Sequence, residues 1–181
     1  MVQNLDMQVN LDIIKAFAFD VDGVFTDGGI FCDLNGELFR TFDSKDGFAL
    51  RMAAMRGYPM GVITGGRSPS IKARFLSCGI KAENVFLGSR DKMADFSAFC
   101  KRYSLSFEEV AYVGDDIPDL EVMKAAGMGV CPSDAVAEVK EVADLITEAK
   151  GGKGCIRELI EGVMKHQGTW IFDVKRYKSR F

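Results

Sequence analysis

The chain has 181 residues, 48% hydrophobic and 27% charged, which suits one ordinary domain with a buried core and leaves no room for a second. Its formal charge of −3 argues against nucleic acid or an anionic membrane as a bulk partner, although local basic groups can still hold a small anion. Five cysteines, at 32, 78, 100, 131 and 155, are odd in number and include no C-x-x-C pair, the pattern of reduced thiols packed as small hydrophobes. The opening stretch "MVQNLDMQVNLDIIKAF" carries acids where a targeting segment is basic, and no apolar run approaches the roughly 20 residues of a membrane span, so a cytoplasmic protein is expected.

Strand and helix patterns then alternate along the chain. "AFAFDV" reads as a first strand, and "KDGFALRMAAMRG" as a helix closed by Gly57. "PMGVIT" reads as a buried strand, followed by a helix over "SPSIKARFLSCG" with Ser68 as a cap and Pro69 in the first turn. Next come "NVFLG", a helix over residues 91 to 103, the strand "EVAYVGD", and a helix to Gly127 with Pro118 in its first turn. "GMGVCP", "AVAEVKEVA", "DLIT" and "GCIRELIEGVMKH" complete the series. This order predicts an α/β fold, a parallel Rossmann-like sheet flanked by helices.

One segment interrupts the alternation. "GGIFCDLNGELFRTF" holds two strand-like runs joined by Asn35-Gly36, the signal of a tight turn, and predicts a β-hairpin inserted after the first strand. With Asn35-Gly36 as a two-residue loop, Ile30, Cys32 and Phe39 share one face, and Phe31, Leu38 and Phe42 the other. A two-stranded ribbon that is apolar on both faces is expected to pack one face on its own domain and the other on a neighbouring subunit. Only about 40 residues separate the first strand from Thr64, and ribbon and helix use them up, so no separate cap domain is expected.

The unusual polar residues fall at or just past strand ends: Asp20 and Asp22, Thr64, Lys92, then Asp115, Asp116 and Asp119. In an open parallel sheet that edge is where ligands bind, so these residues can meet in one crevice. Taken singly, each has a plain structural reading as a turn, cap or solvated charge. Taken together they suit phosphoryl transfer, which needs a nucleophile, a cation, donors for the phosphoryl oxygens and a proton donor for the leaving oxygen. Carboxylates without His or Cys form a hard oxygen site for Mg²⁺, with Asp20, Asp22 and Asp115 as expected ligands. Asp20 is the expected nucleophile. Asp22, with neighbouring acids favouring its protonated form, is the expected acid and base. Thr64 and the backbone N–H groups of Gly65 and Gly66 are expected to hold phosphate oxygens, and Lys92 to offset charge; Asp116 and Asp119 stand behind them as outer supports or helix caps.

D-x-D-G at 20 to 23, Thr64, Lys92 and "GDDIPD" resemble the four motifs of the haloacid dehalogenase superfamily of phosphotransferases, over roughly residues 14 to 166. "DVDGVFTDGGIF" and "GGKGCIRE" resemble more narrowly the branch that hydrolyses 3-deoxy-D-manno-octulosonate 8-phosphate in lipopolysaccharide precursor synthesis. The resemblance implies an uncapped homotetramer in which subunits cover one another's sites. It further implies a single phosphatase domain over 1 to 181 with a C-terminal tail at 167 to 181. A small phosphorylated sugar acid is the implied substrate, with Arg67 and Lys45 as candidate partners of its carboxylate. A nine-carbon sugar acid phosphate is the alternative substrate, and a non-catalytic tetramerisation module the alternative of another class. A receiver-type signalling module would need its acceptor aspartate on a later strand.

Overall fold

The fold turns on the four residues of the first strand, β1 (Ala16–Phe19), which are completely buried on both faces. Side chains alternate across a strand, so Phe17 and Phe19 enter one core and Ala16 and Ala18 the other. The computed structural model describes residues 10–181, and the opening stretch before residue 10 lies outside them. A ribbon of β2 (Phe31–Cys32) and β3 (Leu38–Phe39) follows β1, and then α1 (Ser44–Arg56). The chain continues through β4 (Met60–Thr64), α2 (Pro69–Ser77), β5 (Val85–Leu87), α3 (Lys92–Arg102) and β6 (Val110–Val113). α4 (Leu120–Ala125), β7 (Met128–Cys131), α5 (Ala137–Lys140), β8 (Leu145–Ile146), α6 (Cys155–His166) and α7 (Val174–Arg180) complete it.

Six strands form one parallel sheet in the order β5-β4-β1-β6-β7-β8. From β1 the chain first runs outward through β4 and β5, then returns to β6 on the other side of β1. The crevice therefore opens at the carboxyl ends of β1, β4 and β6, where the direction of winding changes. Helices α1 and α6 pack together over the Phe17 and Phe19 face. On the opposite face, Phe96 and Phe99 of α3 lie over the small Ala16 and Ala18. No cap domain stands between β1 and β4; only the ribbon and α1 do. The five cysteines are free, and among the described residues no helix is long and apolar enough to cross a membrane.

The ribbon differs from its expected register. Phe31 pairs with Phe39 and Cys32 with Leu38, one residue away from the two-residue-loop alignment. The cause is Asp33, whose Oδ1 accepts the N–H groups of Asn35 and Glu37, both at 2.9 Å. Asp33 N–H then donates to the Glu37 carbonyl at 3.0 Å, enclosing a three-residue loop with Gly36 at φ 82°. A one-residue slip moves every side chain to the other face, so Phe31 and Phe39 now share a face. Phe31 and Phe39 are 69% and 52% exposed and Leu34 in the turn is fully exposed, whereas Phe42 packs on the chain's own core against Phe75.

The tail packs on its own chain. Tyr177 and Phe172 surround Phe48 of α1, Arg51 donates to the Tyr177 hydroxyl at 2.9 Å, and Arg180 donates to the Ala54 carbonyl at 2.7 Å.

The "GGKG" turn before α6 is pressed against the loop that follows β1. Gly152 N–H donates to the Val24 carbonyl at 2.9 Å, and Gly151 N–H to Asp134 Oδ1 at 2.9 Å. A Cβ on Gly151 would overlap the Gly23 carbonyl oxygen and stand 2.9 Å from that of Thr26. Helix α6 begins at Gly154, which has no side chain to cap it; Asp46 of α1 takes the role, accepting Arg157 N–H at 2.7 Å. Gly151→Ala is expected to destabilise the protein by on the order of 3 kcal/mol, since rigid backbone must move to admit the methyl group. Urea unfolding measures this, and an unchanged midpoint would show that the two loops are not in contact.

Candidate active site

Each expected polar residue owes its position to a strand end. Asp20 follows β1, Thr64 closes β4, Lys92 opens α3 with Asp91 as its cap, and Asp115 follows β6 by two residues. They converge on one cleft of about 1080 Å³, together with Asp22, Gly65, Gly66, Asp116 and Asp119. Arg67 and Lys45 do not line it. Arg67 is exposed and runs over Gly88, with its Nε 3.0 Å from where a Cβ would stand on that glycine. Lys45 is exposed in the first turn of α1.

Asp119 is fully buried, and both of its oxygens are engaged twice. Oδ1 accepts Lys92 Nζ at 2.7 Å and the Tyr112 hydroxyl at 2.6 Å, while Oδ2 accepts the N–H groups of Asp115 at 3.2 Å and Asp116 at 3.5 Å. Lys92 bridges from Asp119 to Asp20 Oδ2 at 2.9 Å. Asp116 caps the turn Ile117–Asp119.

An oxygen from each of Asp20, Asp115 and Asp119 lies within 4.8 Å of the others. With Asp119 saturated by donors, the free ligand atoms are Asp20 Oδ1 and Asp115 Oδ1, both buried and without a hydrogen-bond partner. Two unpartnered hard oxygens beside a water-accessible cleft fit a divalent cation that keeps several waters. A Cβ on Gly23 would overlap the Asp115 carboxylate, so the glycine of D-x-D-G is what admits it. Asp22, the third expected ligand, lines the cleft but stands outside that cluster. Its carboxylate is held by Arg40 through Nε–Oδ1 at 2.6 Å and Nη2–Oδ2 at 2.9 Å, so a cation faces it where neighbouring acids were expected.

Burial, then the Asp119 charge, pushes the Asp20 carboxyl up to about 6 against the opposing pull of Lys92. Burial, then the Asp20 and Asp119 charges, pushes Asp115 to about 7. Burial alone would lower Lys92, but the carboxylates of Asp20 and Asp119 outweigh it and hold the ammonium above its ordinary range. The neighbours Asp20, Asp115 and Asp119 thus crowd more negative charge than one lysine offsets, the condition under which a cation binds.

The phosphate-side donors are partly committed within the chain. Gly66 N–H donates to Thr64 Oγ1 at 3.1 Å. Ser89, whose buried hydroxyl has no partner, and Arg90 line the cleft beside Lys92. Sequence reasoning passed over Ser89, Arg90, Tyr112 and Arg40. Tyr112 carried a signal, a polar ring tip in a buried strand two residues before the acidic loop.

A family model described as haloacid dehalogenase-like hydrolase matches residues 74–159. The chain is 35% identical to the 3-deoxy-D-manno-octulosonate 8-phosphate phosphatase of Haemophilus influenzae over 168 residues, 92% of either protein. The chain belongs to the haloacid dehalogenase-like hydrolases. Within them, the Yersinia pestis 3-deoxy-D-manno-octulosonate 8-phosphate phosphatase is 30% identical, with a TM-score of 0.85 over 88% of this chain and 85% of that one. The Moraxella catarrhalis phosphatase of the same name, a complex with a magnesium ion, a phosphate ion and KDO, is 32% identical, with a TM-score of 0.84 over 88% and 91%.

The raised carboxyls make this hydrolase's metal-free stability depend on pH. Asp20 and Asp115 ionise ordinarily near 3.8 but near 6 and 7 in the fold, so the fold binds more protons than the unfolded chain between those values. Their contribution is therefore full below 3.8 and is lost as pH rises through 6 to 7. Without metal, the melting temperature is expected to fall from about pH 5 to about pH 8, less steeply in Asp115→Asn, while Mg²⁺ should raise it more at the higher pH. Thermal melts with and without Mg²⁺ measure this; parallel slopes for wild type and Asp115→Asn would remove Asp115 from the account.

Proposed function

We propose that this hydrolase cleaves the phosphate monoester of 3-deoxy-D-manno-octulosonate 8-phosphate, releasing the sugar acid and inorganic phosphate, as a Mg²⁺-dependent cytoplasmic homotetramer. The observation that carries the reaction class is the pair of buried, unpartnered oxygens of Asp20 and Asp115, set between Lys92 and the Thr64–Gly66 loop. The substrate assignment is supported by relatives of that activity at about a third identity over nine-tenths of the chain.

Bound Mg²⁺ would sit on Asp20 and Asp115, offset the carboxylate and phosphate charge, and keep Asp20 ionised. Asp20 is then the nucleophile: its carboxylate oxygen bonds to phosphorus as the ester P–O bond breaks, giving an acyl phosphate and the sugar alcohol. Lys92, fixed by Asp119, holds the Asp20 carboxylate in place and balances charge on the phosphoryl oxygens. Asp22 gives a proton to the leaving oxygen and takes one from the water that attacks the acyl phosphate, returning Asp20 to a carboxylate. Thr64 Oγ1 and the Gly65 and Gly66 backbone present donors to the remaining oxygens. Arg67 and Lys45 stand outside the cleft of one subunit, so contacts to the sugar carboxylate come from Ser89, Arg90 or an adjoining subunit.

Assembly is assigned to the ribbon, whose apolar side chains have no cover within one chain. Phe31 and Phe39 share one face with ring centroids 6.2 Å apart, so Phe31→Ser with Phe39→Ser alters a single contact surface. The double variant is expected to lower the mass measured by light scattering and to lose activity with it. A wild-type protein that is fully active as a monomer at working concentration would remove the tetramer.

Asp20→Asn keeps the size of the nucleophile and removes its charge, so turnover should fall by roughly three orders of magnitude or more with the fold retained. Undiminished turnover would end the mechanism. A screen of kcat/KM across sugar phosphates tests the substrate, and a higher value for a nine-carbon sugar acid phosphate would transfer the assignment to it. Ca²⁺ should support little activity, because its looser coordination misplaces the reacting groups.

A further inference from the structure

Arg40, where the ribbon returns to the domain, has a side chain only 3% exposed. Two of its three nitrogens hold Asp22 in the bidentate pair, the geometry in which a guanidinium matches a carboxylate best. The third, Nη1, is buried with no acceptor. A buried guanidinium N–H without a partner is costly, and an arriving anion relieves that cost.

The guanidinium also faces the Thr64–Gly66 loop. The point where a Gly66 Cβ would stand is 2.7 Å from Ile71 Cδ1, 3.3 Å from Arg40 Nη2 and 3.4 Å from Thr64 Oγ1, so the missing side chain is what lets the guanidinium and the hydroxyl approach the same loop. Arg40 does not itself line the cleft; it holds Asp22 and lies beside Gly66, which do. Asp20 lies within the electrostatic reach of the same guanidinium and contributes to holding it charged.

We infer that Arg40 is a substrate-binding residue supplied by the ribbon: a phosphoryl oxygen takes Nη1 and competes for Nη2. Nε stays on Asp22 Oδ1, and Asp22 Oδ2 is released toward the leaving oxygen. This rests on the phosphatase reading above and adds a donor that none of the four motifs contains. It also gives the ribbon a chemical role, because whatever holds the ribbon in place holds a phosphate ligand in place.

The test measures binding of inorganic phosphate in the presence of Mg²⁺ by calorimetry, and turnover of p-nitrophenyl phosphate, for wild type, Arg40→Met and Arg40→Lys. Arg40→Met should weaken phosphate binding about 10- to 100-fold, the loss expected for a charge-assisted hydrogen bond. Arg40→Lys should regain most of that affinity as a point charge, but keep a lowered kcat because an ammonium cannot hold Asp22 through two parallel bonds. A folded Arg40→Met protein with wild-type phosphate affinity overturns the inference and leaves the phosphatase reading standing. If Arg40→Met does not fold, Arg40→Lys decides, and a wild-type kcat in that variant overturns it. A wild-type protein that neither binds phosphate nor turns over the ester overturns both.

Discussion

The site depends on one buried carboxylate. Asp119 sits without solvent at the carboxyl edge of the sheet and is tolerated there because a lysine, a tyrosine hydroxyl and two backbone N–H groups satisfy it. Each donor belongs to a different part of the molecule. Lys92 brings in α3, Tyr112 is the body of β6, and Asp115 and Asp116 form the loop that carries the second unpartnered carboxylate oxygen. Without Asp119, Lys92 has one carboxylate to hold instead of two, and the Asp115 loop loses the acceptor that gathers its amides.

Around this anchor the chain uses missing side chains to bring backbone and carboxylates close. Gly23 lets the Asp115 carboxylate approach the loop after β1, and Gly151 and Gly152 let a second backbone lie directly on that loop. Asp46 extends the connection, since it ends the ribbon segment at the start of α1 and caps α6 beyond the glycines. Its own carboxyl is raised to about 6, chiefly by burial, which marks it as a structural acid held away from water. The start of α1, the loop after β1 and helix α6 are thus joined through short polar links.

The alternation of strands and helices was readable because buried strands with Gly, Pro and Asp at their ends leave a strong local pattern, and "AFAF" states both faces of β1 outright. The convergence of Asp20, Thr64, Lys92 and Asp115 was readable from topology, because a parallel sheet gathers its strand ends. What was not readable depended on contacts between side chains far apart or on competing turn signals. Asn35-Gly36 suggested a two-residue turn, but Asp33 one residue earlier captured two amides and set a longer loop. Arg40 carried no local mark, since its partner Asp22 lies across the whole ribbon. Arg67 follows two glycines and lies over Gly88, outside the cleft, a placement set by contacts no local pattern gives. Asp119 was read as an outer support, whereas its full burial follows from Tyr112 and Lys92, which no spacing rule pairs with it.

The tail contains the chain's one tryptophan, Trp170. The Arg157 guanidinium lies 4.6 Å above its ring, and Phe48 of α1 stands edge-on at 6.4 Å between ring centroids. Arg157 is also the residue whose amide Asp46 caps, at the start of α6. Any loosening of the tail, of α1 or of the α6 entrance therefore changes the surroundings of a single indole, and the protein carries an intrinsic fluorophore at the point where those three parts meet.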